Sequence, residues 1–138
     1  MQVVQWQDEK SSLEYIRKTV FIDEQKVPIE LEWDGLDATA YHVLAKSTAR
    51  KPAGTGRLLQ SGQIGRMAVL REYRGKGAGT AILKCLLQLA DSMKIPEVFL
   101  NSQLQAVPFY RKHGFITAGE IFNEAGIAHC RMKFHPDG

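Results

Sequence analysis

A glycine-spaced turn at the mouth of a long amphipathic helix constrains this chain more than any other feature. The turn, Arg71-Glu-Tyr-Arg-Gly-Lys-Gly-Ala-Gly-Thr80, follows Gln63 to Leu70, whose pattern suits a strand. After it, Ile82, Leu83, Leu86, Leu89, Ala90 and Met93 recur at helical spacing until Pro96 closes the segment. Glycines let a main chain approach a ligand closely and adopt dihedrals closed to other residues. A helix start exposes unpaired N–H groups and the positive end of the dipole. Strand, glycine turn and helix start together make an anion site suited to phosphate or pyrophosphate, with Arg74 and Lys76 adding charge. The same pattern also serves a loop that only starts a helix.

Two better-known phosphate motifs do not fit. A P-loop requires G-x-x-x-x-G-K-[ST], which is missing here. A dinucleotide fingerprint requires G-x-G-x-x-G, whereas the spacing here is G-x-G-x-G. Glu97 does lie about twenty residues further on, but at the start of the next strand, where a ribose-binding acid belongs at a strand's end.

The rest of the chain reads as alternating strands and helices. Val3 to Trp6 suits a first strand. Asp8 is a candidate N-cap for a helix carrying Leu13, Ile16, Val20 and Phe21. Residues 23 to 37, broken by Pro28 and Gly35, suit a loop or short helical turn. Tyr41 to Lys46, Ala53 to Leu59 and Gln63 to Leu70 are successive strands, and the helix after the glycines leads to a short buried strand, Val98 to Leu100. Ala106 to His113 is a helix capped by Gly114. Phe115 to Phe122 and Ile127 to Phe134 are final strands joined through Asn123-Glu-Ala-Gly126. The order β-α-β-β-β-α-β-α-β-β implies an α/β or α+β layout around one mixed sheet, with residues 1–138 as a single domain.

Charge is unevenly laid out. Residues 23 to 37 hold Asp23, Glu24, Glu30, Glu32, Asp34 and Asp37 against Lys26, while residues 50 to 90 hold eight basic side chains against Glu72. Such segments favour a cation and an anion respectively, or form two solvated faces of opposite sign. Basic residues are not interleaved with aromatics and the pI is about 8.9, so nucleic-acid binding is not indicated. Cys85 and Cys130 are far apart in apolar surroundings, which suits reduced core thiols. No signal-like start or membrane-length apolar run is visible, and the cytoplasm is the expected compartment.

Two segments in order carry a resemblance. Arg74-Gly-Lys-Gly-Ala-Gly79 resembles the R/Q-x-x-G-x-G/A signature of the GNAT (GCN5-related N-acetyltransferase) family, at the family's place between a strand and a long helix. Ala106-Val-Pro-Phe-Tyr-Arg-Lys-His-Gly-Phe115 is similar to its A-x-x-F-Y-x-x-x-G-F segment. The resemblance covers roughly residues 40 to 134. Leu100-Asn-Ser-Gln103 and Asn123 to His129 further resemble the ElaA/YjcF-like subgroup.

The resemblance implies a mixed, mostly antiparallel sheet flanked by helices and splayed into a V-shaped cleft for acetyl-CoA, the co-substrate. The pyrophosphate would rest on Arg74, Gly75, Lys76, Gly77, Ala78, Gly79 and Thr80. The pantetheine arm would pair with Met67, Ala68 and Val69, whose N–H groups also suit polarisation of the thioester carbonyl. Asn101 is either a holder of that arm or a strand-end turn residue. Tyr110 is the expected general acid for the departing thiolate, and Phe109 is expected to pack, in part against the cofactor.

The base is left open. Many relatives carry a glutamate on the strand before the glycine loop, but Gln63-Ile-Gly-Arg-Met67 has no carboxylate. Glu32, Asp34, His42 and His129 are the candidates, directly or through water. Glu32 and Asp34 also suit attraction of a cationic acceptor or simple exposure, and both histidines suit structural hydrogen bonding. A covalent route through Cys130 is not favoured, because neighbours on a strand point to opposite faces. The expected reaction is direct acetyl transfer to a primary amine, small or peptidic, without metal or covalent intermediate. The competing readings are a non-catalytic acetyl-CoA sensor and a nucleotide-binding domain of another class. A homodimer would suit so small a sheet protein.

Overall fold

The computed structural model describes residues 1–135. Its strands are β1 Gln2–Val4, β2 Tyr41–Lys46, β3 Pro52–Leu58, β4 Gln63–Val69, β5 Phe99–Gln103, β6 Phe115–Thr117, β7 Phe122–Glu124 and β8 Ile127–Phe134. Four α-helices, α1 Lys10–Arg17, α2 Ile29–Glu32, α3 Ala78–Ser92 and α4 Val107–Arg111, lie between them. The strands form one sheet in the order β1-β2-β3-β4-β5-β8-β6, with β7 also paired to β8. The β4–β5 pair is parallel and the other pairs are antiparallel. This is the mixed, mostly antiparallel sheet with flanking helices that the family resemblance implied.

Strand alternation distributes apolar side chains to two cores. On β2, Val43 joins a cluster with Ile82, Leu83, Leu86 and Ala90 of α3, while its neighbour Leu44 joins Leu13 and Ile16 of α1. A buried aliphatic side chain of this kind contributes about 1.5–3 kcal/mol relative to exposure. Gly56 on β3 lets α3 come close. A methyl group there would stand 2.7 Å from both Ile82 Cγ2 and Leu86 Cδ1.

Several boundaries differ from the sequence reading. Asp8 caps no helix; its N–H donates to the Gln5 carbonyl in a turn (3.1 Å), and α1 starts after Glu9 without a side-chain cap. The first helix continues past Phe21, the last residue of its apolar pattern, by widening into a π-type stretch, Lys18–Glu24, where Gln25 N–H reaches the Val20 carbonyl (3.1 Å). The Thr19 hydroxyl donates to the Tyr15 carbonyl (2.8 Å), a back-bond that competes with regular helical pairing. The expected strand Phe115 to Phe122 is two strands, because the chain turns through residues 118–121 between β6 and β7. β5 runs on to Gln103, since the polar Asn101-Ser-Gln103 keeps pairing with β8.

Among the described residues no helix is long and apolar enough to cross a membrane. Cys85 and Cys130 are free thiols, and no group of three or more potential metal-ligating side chains is present among those residues.

Candidate active site

The sheet comes apart between its two parallel strands. β4 and β5 pair at Gln63 with Phe99 and at Ile64 with Leu100, and then diverge. A cavity of about 500 Å³ occupies the gap, with Met67, Asn101, Gln103, Tyr110 and His129 among its walls. β4 also carries a bulge on its other side. Thr55 faces Ala68 while Arg57 faces Gly65, so β4 holds one extra residue there, and Arg66 takes a φ of 50°. A bulge interrupts the ladder and re-aims the strand. The three residues expected along the cofactor arm are then distributed: Met67 reaches the cavity, Ala68 packs toward α1, and Val69 packs toward α3.

Tyr110 sits on α4 with its hydroxyl donating to Met67 Sδ at 3.6 Å. Its ring meets Phe109 and Phe115 edge-on, at 5.1 and 5.8 Å between centroids. Burial pushes the phenol up to about 12. It therefore stays protonated at neutral pH, the state in which it can donate to a leaving sulfur. Phe109 packs by the start of α3, where a methyl on Gly79 would touch its ring at 3.6 Å.

The glycine turn is open. Gly75 and Gly77 have φ of 77° and 85°, which few other residues adopt without strain. Gly77 caps α3 in the left-handed conformation and no side chain caps the helix, so the first-turn N–H groups of Ala78, Gly79 and Thr80 have no side-chain acceptor. A side chain added at Gly75 or Gly77 would meet nothing within 4 Å. Lys76 is exposed on the loop. Arg74 is committed to structure instead: it donates to the Val69 carbonyl (2.8 Å) and to both Glu24 oxygens (3.0 Å each). Thr80 Oγ1 lies 3.4 Å from His113 Nε2.

The acidic stretch is only in part a solvated face: Asp23 and Glu30 are exposed, whereas Glu32 and Asp37 are buried. Arg17 Nε donates to Glu32 (2.7 Å) and its Nη1 to Asp37 (2.6 Å). Arg57 holds Asp37 (3.1 Å) and both oxygens of Asp34 (3.0 and 2.9 Å). Arg66 reaches Asp34 (3.2 Å) and returns to Glu32. The six side chains thus close a ring of alternating sign that ties α1, β3 and β4 to residues 32–37. Arg66 Nε lies 3.2 Å from Glu32 Oε2 but does not point at it, so the contact is charge on charge and that N–H lacks an acceptor. Arg17 is also flanked by the Trp33 and Trp6 rings, at 5.0 and 5.5 Å. Burial raises the Glu32 carboxyl against the pull of Arg66 and Arg17. For Asp34 burial also acts upward, but the Arg57 hydrogen bond, the Leu36 N–H and the two guanidinium charges outweigh it and hold the acid at about 2. Glu32, named from sequence as a base candidate, is 3% exposed and spoken for by two arginines.

His42 is buried away from this cavity, with Nε2 3.0 Å from the Asp37 carbonyl, and desolvation lowers its pKa. His129 and Cys130 diverge as strand neighbours do. Cys130 packs in the α3 core, whereas His129 lines the cavity with Nδ1 2.7 Å from the Ile127 carbonyl. Asn101 lies mid-strand, not at an end. It donates to Glu124 Oε1 (3.4 Å) and faces Arg131 Nε at 3.5 Å. Glu124, which sequence reasoning did not single out, stands beside His129 at 3.7 Å. Its place on a hairpin, Glu124 to Ile127, was visible in Asn123-Glu-Ala-Gly126, but which strand it would face was not.

Comparison with known proteins bears on the family and the fold. The family model for the acetyltransferase (GNAT) domain matches residues 9–136. An uncharacterized N-acetyltransferase of Bacillus subtilis, YjcF, is 38% identical over 122 residues, covering 86% of each chain. The crystal structure of Escherichia coli ElaA superposes with a TM-score of 0.87 at 26% identity, covering 97% of this chain and 98% of ElaA. An acyl-CoA N-acyltransferase from Pseudomonas aeruginosa gives the same TM-score at 28% identity over 97% of both chains. With its paired motifs, its split sheet and a family match across nearly its whole length, the chain belongs to the GNAT acetyltransferase family.

Proposed function

We propose that this chain is an acetyl-CoA-dependent N-acetyltransferase that passes the acetyl group to a primary amine by direct attack, both substrates being bound together. The observation that carries this reading is the divergence of β4 from β5 after two paired residues, with the Tyr110 hydroxyl beside Met67 in the gap. The first-turn N–H groups of α3, with Lys76 beside them, hold the pyrophosphate. The main chain of Met67 to Val69 pairs with the pantetheine arm and directs the thioester into the cavity, with Asn101 on the opposite strand. The amine attacks the thioester carbonyl, the C–S bond breaks, and Tyr110 supplies a proton to the sulfur. The acceptor is cationic in solution and loses a proton before it attacks. One domain suffices for all of these roles.

Thiol release from acetyl-CoA, measured against a panel of amines, tests the reading. Tyr110→Phe should lower turnover about 10²–10⁴-fold with acetyl-CoA affinity by calorimetry unchanged. Unchanged turnover would remove Tyr110 from the chemistry. Binding of acetyl-CoA without thiol release from any amine would instead favour a sensor, the reading that the carboxylate-free strand Gln63 to Met67 supports.

A further inference from the structure

We infer that the β7–β8 hairpin carries the acceptor's ammonium site, with Glu124 holding the charge and His129 Nε2 taking the proton. This rests on the acetyltransferase reading and supplies the base that reading lacks.

The tautomer follows from geometry. His129 Nδ1 is 2.7 Å from the Ile127 carbonyl oxygen, which can only accept, so Nδ1 bears the hydrogen. In the neutral ring Nε2 is then the lone-pair nitrogen. It faces Glu124 Oε2 at 3.7 Å, a second acceptor. Two acceptors at that spacing recruit a shared donor, and a primary ammonium brings three N–H groups. The ring is held in place: Phe122 stacks on it at 6.1 Å and 24°, and β8 pairs it with Gln103. Both register neighbours are uncharged. Glu124 is the ionisable group in contact with it, while Tyr110, Glu32, Asp34, Arg57 and Arg66 line the same cavity.

Charge accounting favours Glu124 over the acids expected from sequence. Of the three carboxylates on the cavity wall, Glu32 and Asp34 are each bound to two arginines. Glu124 has Asn101 and His129 as partners and no arginine or lysine, and its side chain is 50% exposed. It is the cavity acid with charge to spare for a cation.

The step balances. His129 Nε2 takes one proton from the ammonium, the amine nitrogen bonds to the acetyl carbon, and the carbon–sulfur bond breaks. Sulfur receives the Tyr110 proton. The second nitrogen proton, shed as the amide forms, restores the phenol through solvent. Imidazolium then releases its proton to water.

The test is thiol-release kinetics of the full chain, His129→Gln and Glu124→Gln, using benzylamine and spermidine as protonated acceptors and trifluoroethylamine as one already neutral at assay pH. His129→Gln should lose about 10²-fold or more in kcat/KM for the protonated amines, and the fall in rate toward acid should vanish from its pH profile. Trifluoroethylamine turnover should change little. Glu124→Gln should raise KM for the protonated amines with kcat nearly kept. Circular dichroism and acetyl-CoA calorimetry verify that each variant is folded. Should His129→Gln fail to fold, a Glu124→Gln protein with unaltered amine KM would overturn the ammonium site. Equal losses for protonated and neutral amines, or an intact acid limb, would overturn the base. An unmodified chain that turns over no amine sinks the acetyltransferase reading and this site with it, whereas an active chain indifferent to both substitutions sinks this site alone.

Discussion

The arginine–carboxylate ring and the glycine turn treat polar groups in opposite ways. In the ring, each of Glu32, Asp34 and Asp37 is held by two of the guanidinium groups of Arg17, Arg57 and Arg66. At the turn, Ala78, Gly79 and Thr80 present main-chain donors that no side chain caps. The ring spends its charge on fixing residues 32–37 against α1, β3 and β4. The turn leaves its partial charge open and accepts a less stable helix start. In this molecule the paired charges therefore serve architecture, and the uncapped main-chain donors beside the glycines are the site proposed for the ligand.

Three measurements can break or sharpen that contrast. The largest effect should come from Arg57→Ala, which leaves Asp34 with Arg66 and Asp37 with Arg17 as their remaining guanidinium partners. Removing one member of a buried pair costs roughly 3–5 kcal/mol, read as a lower denaturant midpoint, and acetyl-CoA affinity should move far less. Comparable losses in stability and affinity would erase the distinction. Gly77→Ala should show the reverse. Left-handed backbone at a non-glycine residue costs about 1–2 kcal/mol, while acetyl-CoA affinity should fall about tenfold or more, or at least 1.4 kcal/mol. If affinity held, the turn would not be the phosphate site. The smallest effect concerns pH. Asp34 is held at about 2 in the folded chain against an ordinary 3.8, so its contribution is fully present above 3.8 and disappears as pH falls through about 2. Guanidinium unfolding of the native chain and Asp34→Asn at a series of pH values should converge toward acid. A gap that widened toward acid would reverse the assigned direction.

The contrast also explains what could be read in advance. Local signals were legible. The glycine spacing and the Ile82-to-Met93 stripe located α3, and Ile127 to Phe134 was found to the residue. The Phe109–Tyr110 pair identified the helix that borders the cavity. Long-range pairing was not legible. Nothing local joins Arg17 to Asp37 or Arg66 to Glu32, so Glu32, Asp34 and Asp37, open in one dimension between a cation site and a solvated face, prove to be paired with arginines in three. The bulge at Arg66 was hidden for a related reason. Its extra residue is defined by what stands across from it on β3, and a strand read alone has no such reference. Asn101, left between a holder of the cofactor arm and a strand-end turn residue, lies mid-strand and lines the cavity with Gln103, because β5 keeps pairing with β8 through a polar stretch.

The divergence of β4 and β5 leaves the middle of the sheet unfinished. Interior strand edges are ordinarily stitched to a neighbour, and an unstitched one invites pairing with whatever extended polymer comes near. A pantetheine chain has amides at suitable intervals to act as that missing thread. Thermal stability would then climb with acetyl-CoA concentration by mass action, and the heat resistance of the protein in a cell would report how well supplied that cell is with its acyl donor.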